Sequence, residues 1–144
     1  MGWSSGTEIF QAVIEAAKKH IPDTEDRKQF YADIYPAFRE QDWDTEGECF
    51  DDDPLFEEVY CETWNMLTSA ETIWMASAAF ALNMSLGDLK KINETAGKEA
   101  KPDDVWGDVW YYVEEIQEDG VEAFRERYGK YKMHPSFPGG NVKP

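Results

Sequence analysis

Histidine and cysteine are scarce in this 144-residue chain, and both shortages limit the chemistry it can perform. The two histidines, His20 and His134, have no helical neighbours at metal-ligand spacing. The two cysteines, Cys49 and Cys61, are too few for a disulfide framework, so we expect free thiols in a reducing compartment. No phosphate-binding glycine loop, nucleophile elbow or Cys–His signature occurs. We therefore predict no catalytic residue, no cofactor and no enzyme activity.

Long apolar runs are also missing. The longest, residues 73–82, is too short to cross a bilayer, and no charged and then apolar leader opens the chain. We expect a cytoplasmic protein that neither enters a membrane nor is exported.

Basic residues are absent from one long stretch, residues 40–62, which contains eleven carboxylates and no Lys or Arg. We call this stretch the acidic segment. It dominates the formal charge of −16, since residues 1–72 carry a net of −13 and residues 73–144 only −3. The electrostatic field of so many carboxylates repels phosphate backbones and attracts basic grooves. We therefore predict a basic nucleic-acid-binding protein as partner, and no direct binding of nucleic acid.

The predicted partner-binding residues are carboxylates and two aromatic residues of the acidic segment: Asp42, Asp44, Glu46, Glu48, Asp51, Asp52, Asp53, Glu57, Glu58, Trp43 and Phe50. The two aromatic residues allow two interpretations. They either anchor a partner or pack the loop onto the protein core. Packing is favoured, because most aromatic residues beside a turn are buried.

Apolar residues recur at helical spacing through most of the chain, and aromatic residues make up 15% of it, which is typical of a folded body. The pattern predicts an all-α, single-domain bundle of about six to seven short helices. The fourth helix, residues 69–82, is apolar on nearly every side and should be the buried central helix. The acidic helical domain spans residues 1–128. Residues 129–144, rich in Pro and Gly, are predicted to form an extended or disordered tail.

Several helix starts carry their own signals. Asp53 followed by Pro54 predicts an N-cap and first turn. Capping boxes, in which a hydroxyl and a carboxylate bond reciprocally to backbone amides, are predicted at three pairs of positions: Ser5 with Glu8, Thr45 with Glu48, and Thr68 with Glu71.

Residues 42–53 also resemble a twelve-residue calcium loop, with acids at positions one, three, five and twelve and a glycine at six. The match is imperfect, because position five is the long Glu46 and position twelve is Asp53 rather than a bidentate Glu. The competing interpretation is a short helical turn that starts at Thr45. We favour the turn and predict no metal site, with a metal-binding structural protein as an alternative.

A second pattern, Ala79, Asn83 and Leu89, has the spacing of a helix-turn-helix. Its second helix carries Lys90 and Lys91 beside two acids in a strongly acidic protein, which disfavours contact with DNA. A helix-turn-helix regulator is therefore only an alternative.

Three short segments resemble a family of small uncharacterised bacterial and phage proteins. They are the opening MGWSSG, the IP at residues 21–22 with DRK at 26–28, and DWDT at 42–45 with Glu48 and Cys49. The resemblance covers about the first 50 residues and implies a phage or mobile-element context, with no mechanism. Members of the family commonly lack an acid at the fifth loop position, which favours the turn over calcium.

In that context we predict a stoichiometric inhibitor of a host nucleic-acid-binding defence protein, acting in the cytoplasm of a bacterial host cell. The alternative is an immunity protein that neutralises a basic nuclease toxin, which would use the same electrostatics.

Overall fold

The computed structural model describes residues 5–97 and 100–139, and all regular secondary structure in these ranges is helical. The seven α-helices are α1 (Gly6–His20), α2 (Thr24–Arg39), α3 (Pro54–Trp64), α4 (Ser69–Ala81), α5 (Leu86–Thr95), α6 (Asp103–Asp119) and α7 (Val121–Tyr128). A short 3-10 turn, Glu46–Cys49, lies between α2 and α3. The all-α prediction is confirmed.

Capping signals were only partly reliable. At the start of α4, Thr68 Oγ1 accepts a hydrogen bond from the Glu71 amide at 3.1 Å, and Glu71 Oε1 accepts one from the Thr68 amide at 3.0 Å. This capping box is confirmed. The box predicted at Ser5 is wrong, because Ser5 has helical dihedrals (φ −75°, ψ −14°) and its side chain makes no capping bond. An N-cap residue normally has an extended backbone.

The chain divides into two compact units, Met1–Trp64 and Asn65–Pro144. In the first unit, α2 packs along α3, and α1 packs against the 3-10 turn. Its core is strongly aromatic, with Phe10 at the centre of contacts to four other rings. The acidic segment is part of this unit.

In the second unit, α4 packs mainly against α6, and α5 and α7 complete the packing. Ala76 and Ala79 of α4 lie in one buried cluster, and Ile73 lies in the other. Within this unit α4 is therefore the buried central helix. Trp74 is an exception, because it is exposed and its ring lies 4.8 Å from the ring of His134.

Residues 129–139 follow α7 without helical structure. They are nevertheless packed, since Met133 and Phe137 are buried in a cluster with Ile73 of α4. The His134 amide donates to Ser77 Oγ at 2.8 Å. This part of the predicted tail thus belongs to the second unit's core. Residues 140–144 lie outside the described residues.

None of the helices in the described part of the chain is both long and apolar enough to span a membrane.

Candidate interaction surface in the acidic segment

The structure separates the predicted partner-binding carboxylates by exposure. Glu46 and Asp53 are buried, with 8% and 3% of their surface exposed, and Asp52, Glu57 and Glu58 are partly buried. Four others are exposed, and we call them the exposed acids: Asp42, Asp44, Glu48 and Asp51.

Two tyrosines of α2 hold the buried carboxylates. Tyr35 Oη donates to Glu46 Oε2 at 2.6 Å, and Tyr31 Oη donates to Asp53 Oδ2 at 2.7 Å. The two tyrosines are four residues apart, which places them on the same face of the helix, one turn apart. Burial, followed by the hydrogen bonds to these carboxylates, raises the pKa of both phenols well above the usual 10. Successive turns of one helix therefore position residues 46 and 53.

Asp53 has two further partners. Arg27 Nε donates to Asp53 Oδ2 at 2.8 Å, and the Leu55 amide donates to Asp53 Oδ1 at 3.1 Å. The second bond confirms Asp53 as the N-cap of α3. Because Glu46 and Asp53 are buried and bonded within the protein, neither presents a carboxylate to a partner in this structure. Their inclusion in the predicted partner-binding set is corrected accordingly.

Trp43 is also buried, with 3% of its surface exposed. Its ring packs on that of Phe10 at a centroid distance of 4.9 Å. Its indole Nε1 donates to Thr7 Oγ1 at 3.1 Å and to Thr45 Oγ1 at 3.0 Å. Trp43 therefore joins the acidic segment to α1 and does not project toward a partner.

The Thr45 hydroxyl does not form the capping box that the sequence predicts. The short helical turn predicted after Thr45 is present at Glu46–Cys49, but its capping box is not, because Thr45 makes no capping bond. Its Oγ1 instead contacts Thr7 Oγ1 and accepts the Trp43 indole. A tertiary contact has replaced the local one.

Phe50 is only partly buried. Its ring contacts those of Phe56 and Tyr60 at centroid distances of 5.9 and 5.1 Å. Of the two aromatic residues predicted to contact a partner, Phe50 alone retains exposed surface.

Lysines of neighbouring helices approach part of the acidic segment. Lys28 Nζ lies 2.6 Å from Glu62 Oε1 and 3.7 Å from Glu58 Oε1, and Lys18 Nζ donates to the backbone oxygen of Asp52 at 3.0 Å. Glu58 is therefore partly neutralised by α2. Among the predicted carboxylates, the four exposed acids are those that the structure places at the solvent-accessible surface.

The acids of the calcium-loop pattern, residues 42–53, do not converge on one point. Glu46 and Asp53, at positions five and twelve, are turned toward α2 by the bonds described above. Across residues 5–97 and 100–139, no group of three or more His, Cys, Asp or Glu side chains is placed to hold a metal ion.

The helix-turn-helix pattern in the second unit has a packing explanation. Ala79 and Leu89 lie in the same buried cluster, and Asn83 has the left-handed φ of 52° that the turn requires. Lys90 Nζ lies 3.4 Å from Asp103 Oδ1, so its charge is partly balanced within the protein. These contacts give α5 a structural role.

Sequence reasoning missed the residues that position the acidic segment, chiefly Thr7, Arg27, Tyr31 and Tyr35. The spacing of the two tyrosines on an apolar stripe was visible, but it indicated only burial. Their hydroxyls reach carboxylates 11 and 22 residues away, and no local pattern encodes such pairings.

Comparison of the chain with protein-family models, curated proteins and solved structures found no match.

Proposed function

We propose that this protein is a stoichiometric inhibitor that occupies the basic nucleic-acid-binding groove of a host defence protein. The exposed acids would stand where phosphate groups otherwise lie. The phage or mobile-element context rests on the resemblance of the first 50 or so residues. The role is one of binding, without a catalytic step.

The observation that carries the proposal is the way in which the acidic segment is held. Buried or half-buried contacts tie residues 43–53 to α1 and α2, while Asp42, Asp44, Glu48 and Asp51 stay exposed. A segment that is already ordered loses little conformational entropy on binding. A disordered acidic tail of the same charge would lose much more.

The net charge of the first unit also supports binding to a basic groove. The first unit, residues 1–64, contains 17 acids and 5 bases, a net of −12. A field of this size accelerates encounter with a basic surface and disfavours encounter with DNA or RNA. Binding would also displace the counterions that surround the partner's groove.

The test reverses charge at two exposed acids. Asp44→Lys combined with Asp51→Lys should reduce capture of the partner from host lysate by at least about tenfold, because each reversal replaces attraction with repulsion. The melting temperature should change little, since both side chains are exposed. Capture by the wild-type protein should survive nuclease treatment and weaken with added salt.

A matched control reverses two exposed acids of the second unit, Asp108→Lys with Glu118→Lys, which changes the net charge by the same amount. Equal loss of capture in both variants would mean that net charge alone attracts the partner. Capture that disappears after nuclease treatment, or that is indifferent to the reversals and to salt, would contradict the inhibitor proposal.

A further inference from the structure

Three partly exposed aromatic rings continue from the acidic segment along α3. Phe50 contacts Tyr60 at 5.1 Å between ring centroids, and Tyr60 contacts Trp64 at 6.5 Å. Tyr60 and Trp64 are four residues apart and so share one face of α3. Glu57, two helical turns before Trp64, is on that face too. We call Phe50, Tyr60 and Trp64 the aromatic strip.

Trp64 is the most exposed ring of the strip, with 48% of its surface accessible. Its orientation is nevertheless fixed. The indole Nε1 donates to Tyr35 Oη at 3.2 Å, and Tyr35 in turn donates to the buried Glu46. The same buried carboxylate thus orders the 3-10 turn and, through Tyr35, an exposed tryptophan. Rigid, partly exposed tryptophans of this kind are frequent energetic centres of protein interfaces.

The ring of Trp64 already has a guanidinium beside it. Arg39 Cζ lies 5.5 Å from the centroid of Trp64 and 5.5 Å from that of Tyr35. This intramolecular contact shows a guanidinium beside both rings, and 48% of the Trp64 surface stays accessible in its presence. The acidic segment, with its eleven carboxylates and no Lys or Arg, ends two residues before Trp64 in the chain.

We propose that the aromatic strip binds arginine side chains of the partner, with Trp64 as the main contact. The proposal rests on the inhibitor function and specifies the chemistry of the partner's surface as arginine-rich. Arginine suits this site better than lysine for two reasons. Its planar guanidinium stacks on aromatic rings, and its fork of donors matches a carboxylate in a bidentate geometry.

The test uses nona-arginine and nona-lysine peptides as probes, with dissociation constants measured by calorimetry at one ionic strength. The ratio of the lysine-peptide to the arginine-peptide constant reports the preference for arginine. Trp64→Ala should lower this ratio by up to about fivefold, the limit reached when arginine makes the exposed cation–π contact and lysine does not. Trp64→Phe, which keeps an aromatic ring, should retain most of the preference.

A matched control is Tyr111→Ala, which removes a 63% exposed ring of the second unit and should leave the ratio unchanged. A nuclear magnetic resonance titration of the wild-type protein adds a readout that requires no folded alanine variant. The Trp64 indole N–H signal, assigned by its loss in Trp64→Phe, should shift with nona-arginine and much less with nona-lysine.

Two results would overturn the aromatic-strip proposal. One is an unchanged ratio of the two dissociation constants in Trp64→Ala, and the other is a Trp64 indole N–H signal that does not shift with nona-arginine. The inhibitor function would fail separately. In that case Asp44→Lys with Asp51→Lys would leave capture of the partner unaltered, while Trp64→Ala would still lower the peptide ratio.

Discussion

The two units differ in the kind of polar group they bury. The first buries two carboxylates, Glu46 and Asp53, and pairs each with a tyrosine of α2. In the described part of the second unit the buried polar residues are neutral: Thr68, Thr72, Ser77 and Asn93. The acidic character of the first unit therefore extends into its packing.

This difference divides the acidic segment into two functional classes. A buried charge is tolerated only where partners compensate for its lost hydration. Glu46 and Asp53 meet that condition and act as attachment points. The exposed acids have water to solvate them and so can serve recognition. Composition alone treats all these carboxylates as equivalent, whereas burial separates them.

The largest expected effect tests whether charge burial holds the first unit together. Asp53→Ala removes the acceptor shared by Arg27, Tyr31 and the Leu55 amide, so it should lower the free energy of unfolding by about 3–5 kcal/mol. Urea denaturation measures this. The control Asp103→Ala breaks the exposed pair with Lys90 and should cost less than about 1 kcal/mol. Similar losses of unfolding free energy in both variants would mean that the buried Asp53 stabilises the first unit no more than an exposed ion pair stabilises the second.

Next in size is a test of the apolar packing in the second unit. Ile73→Ala should cost about 2–5 kcal/mol, because it leaves a cavity beside Phe124 and Phe137. Trp74→Ala, the adjacent residue of α4, should cost no more than Ile73→Ala despite its larger volume, since Trp74 is 36% exposed. Thermal and urea unfolding compare the two variants. If Trp74→Ala proves the more damaging, α4 does not face the core in the way described.

The smallest effect concerns alkaline pH. Burial raises the pKa of the Cys49 thiol to about 12 and the pKa of Tyr31 and Tyr35 well above 10. Groups with a raised folded-state pKa stabilise the fold below their ordinary pKa, and this stability is lost as pH rises. Between pH 8 and pH 10 the free energy of unfolding should fall by about 2 kcal/mol, most of it from the thiol.

Urea denaturation at several pH values measures this fall, and phenolate absorbance follows the tyrosines. Cys49→Ala should flatten the pH dependence, because the thiol accounts for most of the loss below pH 10. Phenolate formation by Tyr31 or Tyr35 in the folded protein near pH 10 would contradict the assigned burial.

Helix positions were the most predictable part of the molecule. The starts of α3 and α4 follow from capping residues and 3.6-residue periodicity, both of which depend on neighbours within one or two turns. The capping box at Thr68 formed as the local pattern predicts, between residues three positions apart. At Thr45, Thr7 and the Trp43 indole compete for the hydroxyl, and they come from α1 and from the loop itself.

Amino-acid order by itself determined the helical architecture and the concentration of negative charge in residues 40–62, because periodicity, capping and net charge are local or additive properties. Only the tertiary structure decided which carboxylates are attachment points and which are exposed. It also decided that Trp43 is buried while Trp64 is exposed. These outcomes depend on contacts between residues far apart in the chain, such as Tyr31 with Asp53 and Thr7 with Trp43, and on the water that such contacts exclude.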